Sequence, residues 1–539
     1  MSISDTFYGI LNAVASFIIS IISLIFNGDK PKVKIPPISN PILLESGVSL
    51  ASKIRKRQVK SYDVVEAYIA RIKECNPVLN FMVADRFNEA LDEAKKVDEM
   101  LDSGDVPDRY SEKNSPFLGV PLSVKEAFAV VGMPNTSGLV NRKNIKVTQD
   151  APTIANLRRA GCIVLGVTNC SELCMWYESS NVVYGRTNNP YDVRRIVGGS
   201  SGGEGCILGA GASVIGIGSD IGGSIRMPSF FNGVFGHRPT SDVVLNDGQF
   251  PCAQGERLAM MSTGPMCRYA VDLEPLLRIM AGPHGVAKLK LDNHVDLRKV
   301  RFFSMGDNFD TALISKLDPE LKEVQNKVVE YLQETLDVEV DRSILYRMRY
   351  AVGLWSAKMS VKDDISFTTQ MGNSGPRVFP TFELLKWLVG LSYHTLPAIM
   401  LGITEDVNHL MPKRTARLRR SCDKLLEEIQ NMLGNDGVLI YPSHPKLAPY
   451  HHAPLLYPTN FAPTGLFNAL NLPATQVPLG LSCQGIPLGV QVVANRHNDH
   501  LCLAVARELE KGFGGWTTPA GMGRFHEVIE NSPHCERGE

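Results

Sequence analysis

A chain of 539 residues could hold two or three domains, although a large α/β enzyme with one continuous sheet also reaches this size. Its 56 basic and 56 acidic side chains, 44% hydrophobic content and lack of a long run of one sign are those of a globular protein, with no electrostatic footprint for nucleic acid. The eleven cysteines fall mostly inside apolar segments, as at Cys75, Cys162, Cys206, Cys252, Cys422 and Cys502; this excludes a closely spaced disulfide framework and reads as reduced thiols.

In chain order, the first element is Phe7 to Phe26 (FYGILNAVASFIISIISLIF), an uncharged stretch long enough to cross a hydrocarbon core of about 30 Å. No basic residue precedes it and Asn27-Gly28-Asp29-Lys30 offers no small-x-small cleavage site. An uncleaved anchor over residues 1–30 is therefore expected rather than a signal peptide. Lys30, Lys32 and Lys34 follow it, which favours a cytoplasmic body; the sequons at Asn135 and Asn169 would matter only in the opposite topology. Residues 31–41 are proline-rich and read as an extended tether, and residues 42–539 as a single domain.

Within that domain, Leu50 and Ile54, then Val64, Val65, Tyr68, Ile69 and Ile72, recur at helical spacing, with Ser61 placed to cap the second run. Asn80 to Ala84 reads as a strand and Phe87 to Leu101 as an amphipathic helix. Leu118 to Val124 alternates apolar with small residues, the period of a strand, and delivers Lys125 just past its end. A helix over Thr153 to Ala160 and strands at Ile163–Leu165 and Val214–Ile217 continue an α/β alternation. Later segments repeat it less clearly: strands at Val438–Tyr441, Ala474–Leu479 and Val490–Val493, then a helix at Leu501–Leu509. Phe382 to Ile403 is apolar but interrupted by Glu383, Lys386, His394 and Pro397. It reads first as a pair of buried core helices, and otherwise as an interfacial portal for a lipid-like substrate.

Two glycine–serine clusters, Gly198 to Gly205 (GGSSGGEG) and Gly218 to Arg226 (GSDIGGSIR), enclose an apolar segment, which flexible linkers seldom do. A nucleophilic serine needs a tight turn, a base, and backbone N–H groups free to meet an oxyanion. Ile221-Gly222-Gly223-Ser224 supplies the turn and the amides, and Lys125, at a strand end where burial lowers a lysine pKa, is the candidate base. Cys170 and Cys174 stand four apart and could share a helix face, but no histidine pair with zinc spacing follows. His451–His452 and His497/His500 match no metalloprotease pattern, so neither a metal nor a cofactor is expected.

These residues, GGSSGGEG and GSDIGGSIRMP with PLSVKEAF upstream and GIPLGVQVVA downstream, resemble the amidase signature family, and the likeness runs from about Pro41 to Ala494. The anchor and the helices from Leu50 to Leu101 are most similar to the membrane-bound fatty-acid amide hydrolases, especially their second type. The resemblance implies a large twisted mixed β-sheet covered by helices on both faces, with an N-terminal membrane anchor helix. It implies a Ser–Ser–Lys triad with Ser224 as nucleophile, Ser200 bridging in a cis conformation and Lys125 as terminal base. The backbone of Ile221, Gly222, Gly223 and Ser224 would form the oxyanion hole, Ser201 would support the relay, and Asp220 and Arg226 would pair to hold the loop. The expected substrate is a long-chain fatty-acid amide, and the expected partners are a membrane through residues 7–26 and a second copy of the chain. The expected location is the endoplasmic reticulum or a lipid droplet.

Four rival readings are weaker. Gly198-Gly199-Ser200-Ser201-Gly202 fits GxSxG, but no strand leads into it and Ser224 would go unused. No phosphate-binding GxxxxGK[ST] accompanies the glycines. An amidotransferase-type subunit fits poorly with an anchor, and a soluble small-amide amidase leaves the apolar segments unexplained.

Overall fold

The computed structural model describes residues 33–306, 313–342, 344–361, 365–409 and 411–519. The expected anchor lies outside these residues, and among them no helix is long and apolar enough to cross a membrane.

Among the described residues the strands are β1 (Met82–Asp85), β2 (Pro121–Lys125), β3 (Ile163–Thr168), β4 (Ser180–Asn181), β5 (Gly185–Arg186), β6 (Ile215–Asp220) and β7 (Phe235–Arg238). They continue with β8 (Ser262–Cys267), β9 (Arg301–Ser304), β10 (Val340–Asp341), β11 (Gly437–Tyr441), β12 (Ala474–Leu481) and β13 (Pro487–Ala494). Apart from the small β4–β5 pair, they form one eleven-stranded sheet in the order β1-β3-β2-β6-β8-β7-β12-β13-β11-β9-β10. β3, β2 and β6 run parallel. From β6 through β8, β7, β12 and β13 to β11 neighbours alternate in direction, and β11, β9 and β10 are parallel again. The sheet is mixed and flanked by helices, as the sequence reading expected.

The strands of the parallel unit are buried along their whole length, which is why β3 reads as a continuous apolar run rather than an alternation. The principal hydrophobic cluster extends from Ile35 to Trp516. Residues 33–40 carry no regular structure, yet Ile35 and Ile38 are buried in that cluster. Ser61 opens the Ser61–Leu79 helix but does not cap it. Asp98, on the Phe87–Ser103 helix, accepts the N–H groups of Ser61 and Tyr62 at 2.8 and 2.9 Å instead, while Ser61 Oγ donates to the Gly119 carbonyl. The cap comes from a distant carboxylate, which local spacing cannot reveal.

The Phe382–Ile403 segment departs from the favoured core reading. Its helices, Pro380–Leu388 and Leu396–His409, pack on each other, and only one side reaches the core, where Ala398 and Ile399 join Leu139, Leu173, Phe250, Phe367 and Met371. The other side is open: Phe382 is 58% exposed, Leu388 67% and Leu391 70%. Apolar periodicity shows that a face avoids water without showing whether protein covers it.

Candidate active site

Register places the site. β2 and β6 are parallel with Ser123 opposite Gly216 and Val124 opposite Ile217, so both strands end side by side. Lys125, the last residue of β2, is fully buried. Its Nζ donates to Ser200 Oγ at 2.7 Å and to Ser219 Oγ at 3.0 Å. Ser219 was not singled out from sequence; its signal is its place at the end of a strand adjacent to β2. Behind the lysine, Glu204 accepts from Ser123 Oγ at 2.8 Å and Thr168 Oγ1 at 2.7 Å. Burial pushes the Glu204 carboxyl up to about 8 despite those bonds. Gly216 permits this approach, since a Cβ there would lie 2.0 Å from Glu204 Oε2.

Ser200 enters through a cis Gly199–Ser200 peptide bond, just ahead of the Gly202–Gly209 helix. The N–H of Ser201 donates to the Ser224 carbonyl at 3.2 Å, which ties the two glycine–serine clusters together. The Ser201 hydroxyl lies against the Ser219 backbone, at 3.4 Å from both its N–H and its carbonyl. The second hydroxyl beside Lys125 is therefore that of Ser219.

Between β6 and the Arg226–Phe231 helix, the loop bearing Ser224 folds around Asp220. This carboxylate accepts the N–H of Gly223 at 2.7 Å and of Ile225 at 3.1 Å, and Arg226 clasps it through Nε and Nη2 at 3.1 and 3.0 Å. Burial pushes the Asp220 carboxyl up, but the Arg226 charge outweighs it and holds the group well below the usual carboxylate range. Arg226 also donates to Asn468 Oδ1 at 2.6 Å and Gln491 Oε1 at 2.8 Å, and Asn468 Nδ2 donates to the Asp220 carbonyl at 3.0 Å. Asp220 and Arg226 thus pair, fully buried, beside the turn that bears Ser224. Gly223 has φ +115°, and a Cβ there would stand 2.0 Å from Thr464 Oγ1, so only glycine fits. Its N–H is engaged by Asp220, whereas those of Ile221, Gly222 and Ser224 have no acceptor among the described residues.

Two cavities meet at Ser224. The larger, about 1020 Å³ with its open mouth, passes Phe250, Met261 and Met359 and reaches Arg257 and Glu405. The smaller, about 460 Å³, is walled by Trp176, Tyr177, Met227 and Phe461. Cys174, Met175, Ile221, Trp355 and Leu401 line both. Cys170 and Cys174 do not share a helix face: Glu172–Cys174 is a single 3-10 turn, with Leu173 and Cys174 at φ 52° and 57°. The described cysteines are free thiols, and among the described residues no group of three or more His, Cys, Asp or Glu could hold a metal ion.

The comparisons agree with this architecture. Residues 63–503 match the family model "Amidase". The chain is 52% identical to the human "Fatty-acid amide hydrolase 2" over 503 residues, covering 92% of this chain and 94% of that protein. It is 51% identical to the Danio rerio "Fatty-acid amide hydrolase 2-A", covering 90% and 92%. A bacterial aryl acylamidase of the amidase signature family superposes with a TM-score of 0.71 at 20% identity, over 90% of this chain and 100% of that one. With its mixed sheet, its paired glycine–serine clusters and relatives of this closeness, the chain belongs to the amidase signature family and is an amide-hydrolysing enzyme.

Proposed function

We propose that the protein is a serine hydrolase of long-chain fatty-acid amides, primary amides and N-acylethanolamines among them. Ser224 attacks the amide carbonyl as its proton passes through Ser200 to Lys125. The same relay returns that proton to the departing nitrogen, without which an amine is a poor leaving group. Water then releases the acid from the Ser224 ester. The observation that carries this reading is the 2.7 Å bond from Lys125 Nζ to Ser200 Oγ, at the edge of a cavity that Ser224 also lines.

The lipid character of the substrate draws support from the cavity walls and from the Pro380–His409 helix pair. Leu401 and Thr404 line the larger cavity from the second helix, and the outer side of the pair exposes Phe382, Leu385, Leu388 and Leu391. Membrane attachment through residues 7–26, with this apolar face resting on the same surface, completes the proposal. The test is release of free fatty acid from long-chain and short-chain amides and matched esters. Wild type is expected to prefer long-chain amides, and Ser224→Ala to lose at least about a thousandfold in kcat. Retained activity in the variant removes Ser224 as nucleophile, and preference for short soluble amides removes the lipid reading.

A further inference from the structure

The turn that carries Ser224 is gripped peptide by peptide from outside. The Gly222 carbonyl accepts from Thr464 Oγ1 at 3.0 Å, and the N–H of the same peptide, on Gly223, donates to Asp220 Oδ1 at 2.7 Å. That peptide is clamped at both ends. The peptide before it is held differently: the Ile221 carbonyl accepts from the indole Nε1 of Trp355 at 2.9 Å, while the Gly222 N–H has no acceptor among the described residues. This peptide is trans, so its carbonyl and N–H point in opposite directions within one plane. Whatever fixes the Ile221 carbonyl also fixes the direction of the Gly222 N–H, and among the described residues that hold is Trp355 alone.

We propose that Trp355 is a positioning residue for amide hydrolysis: its indole N–H sets the orientation of the Gly222 N–H, one of the donors that meet the oxyanion formed on attack by Ser224. The proposal rests on the reading of Ser224 as nucleophile. An oxyanion donor works because it is oriented before the charge develops, and a turn rich in glycine has little stiffness of its own. Trp355 supplies stiffness from the Ala351–Met359 helix, far away in sequence. The indole is itself held: Phe461 meets it edge-on with ring centroids 4.7 Å apart, and a Cβ on Gly465 would fall 3.3 Å from its Cδ1. Phe461 and Gly465 flank Thr464, so one short segment steadies both grips on the turn. Tryptophan suits the position because its N–H only donates while its ring forms part of the wall of both cavities.

Trp355→Phe separates these two duties, keeping an aromatic wall and removing the donor. With a long-chain primary amide and its matched ester, kcat is expected to fall about ten- to hundredfold for both, with KM within about twofold, since both pass through an oxyanion. An unchanged kcat with a raised KM shows a cavity wall only and overturns the proposal. Ser224→Ala, measured alongside, separates the two readings: an inactive Ser224→Ala beside an unimpaired Trp355→Phe defeats the role of Trp355 alone, whereas an active Ser224→Ala defeats the nucleophile. If Trp355→Phe folds poorly, wild type carrying 15N-tryptophan decides the matter. Assigned through phenylalanine variants at the other tryptophans, the Trp355 indole proton should exchange slowly with solvent, and more slowly still once a trifluoromethyl ketone occupies the site. Exchange as fast as that of the exposed Trp387 in both states overturns the proposal.

Discussion

Arg226 and Asp220 show how much a single residue can hold in place. Both are fully buried, and through them the turn bearing Ser224 is fastened to Asn468 and Gln491. Removing one member of a buried pair strands the other charge, at a cost of about 3–5 kcal/mol. Arg226→Met is therefore expected to lower the unfolding free energy read from urea titration by an amount of that order and to abolish turnover. Glu204 gives a second prediction at this scale. Its carboxyl is raised to about 8 in the folded protein against 4.5 ordinarily, so the native state holds a proton that the unfolded chain has released across that window. Its contribution is complete below about pH 4.5 and is lost as pH rises through about 8. Glu204→Gln should accordingly gain stability relative to wild type between pH 5 and pH 8.5, by a few kcal/mol; a pH-independent difference in urea midpoints counts against this. Ser224 and Lys125 were singled out from their own surroundings in the sequence, a glycine turn and a strand end, whereas Ser200, Asp220 and Arg226 were singled out only through the resemblance of their runs to a known family. Ser219, Thr464, Asn468 and Trp355 were legible in neither way. Ser219 needed the register of β2 against β6, and the others reach the site from segments more than a hundred residues away in sequence.

Among the elements, the parallel unit β3-β2-β6 was the easiest to anticipate, since strands buried on both faces appear as compact apolar runs between helices. β7, β8 and β9 were missed. Gly236 and His237 in β7, and Ser262, Thr263 and Gly264 in β8, break any apolar run, although all are buried in the sheet. The Pro380–Leu388 and Leu396–His409 pair was recognised as helical and apolar, but its environment was taken for protein when its outer side is open. Charging that side tests what it is for. Phe382→Glu with Leu388→Glu is expected to weaken binding to phospholipid vesicles by about 3–6 kcal/mol, at about 1.5–3 kcal/mol for each apolar side chain, and to leave hydrolysis of a soluble short-chain amide within about twofold. Vesicle binding that does not change would separate this face from any membrane.

At the scale of the whole molecule, the proposed membrane attachment rests on two segments, the apolar stretch at residues 7–26 and the exposed helix pair. Deleting residues 1–30 is expected to leave vesicle binding reduced but measurable in sedimentation, and adding the two glutamates to that deletion should abolish it. Complete release by the deletion alone assigns attachment to the first stretch only. Across this larger scale the sheet also has an order in time. β12 and β13, near the middle of the sheet, and Thr464, Asn468 and Gln491, which grip the Ser224 turn, all belong to the last part of the chain. A ribosome making this protein extrudes Ser224 more than two hundred residues before Thr464 and Asn468. The grips of Thr464 and Asn468 on that turn can close only late in synthesis, so a chain halted near residue 455 is expected to show no hydrolysis even while still attached to the ribosome.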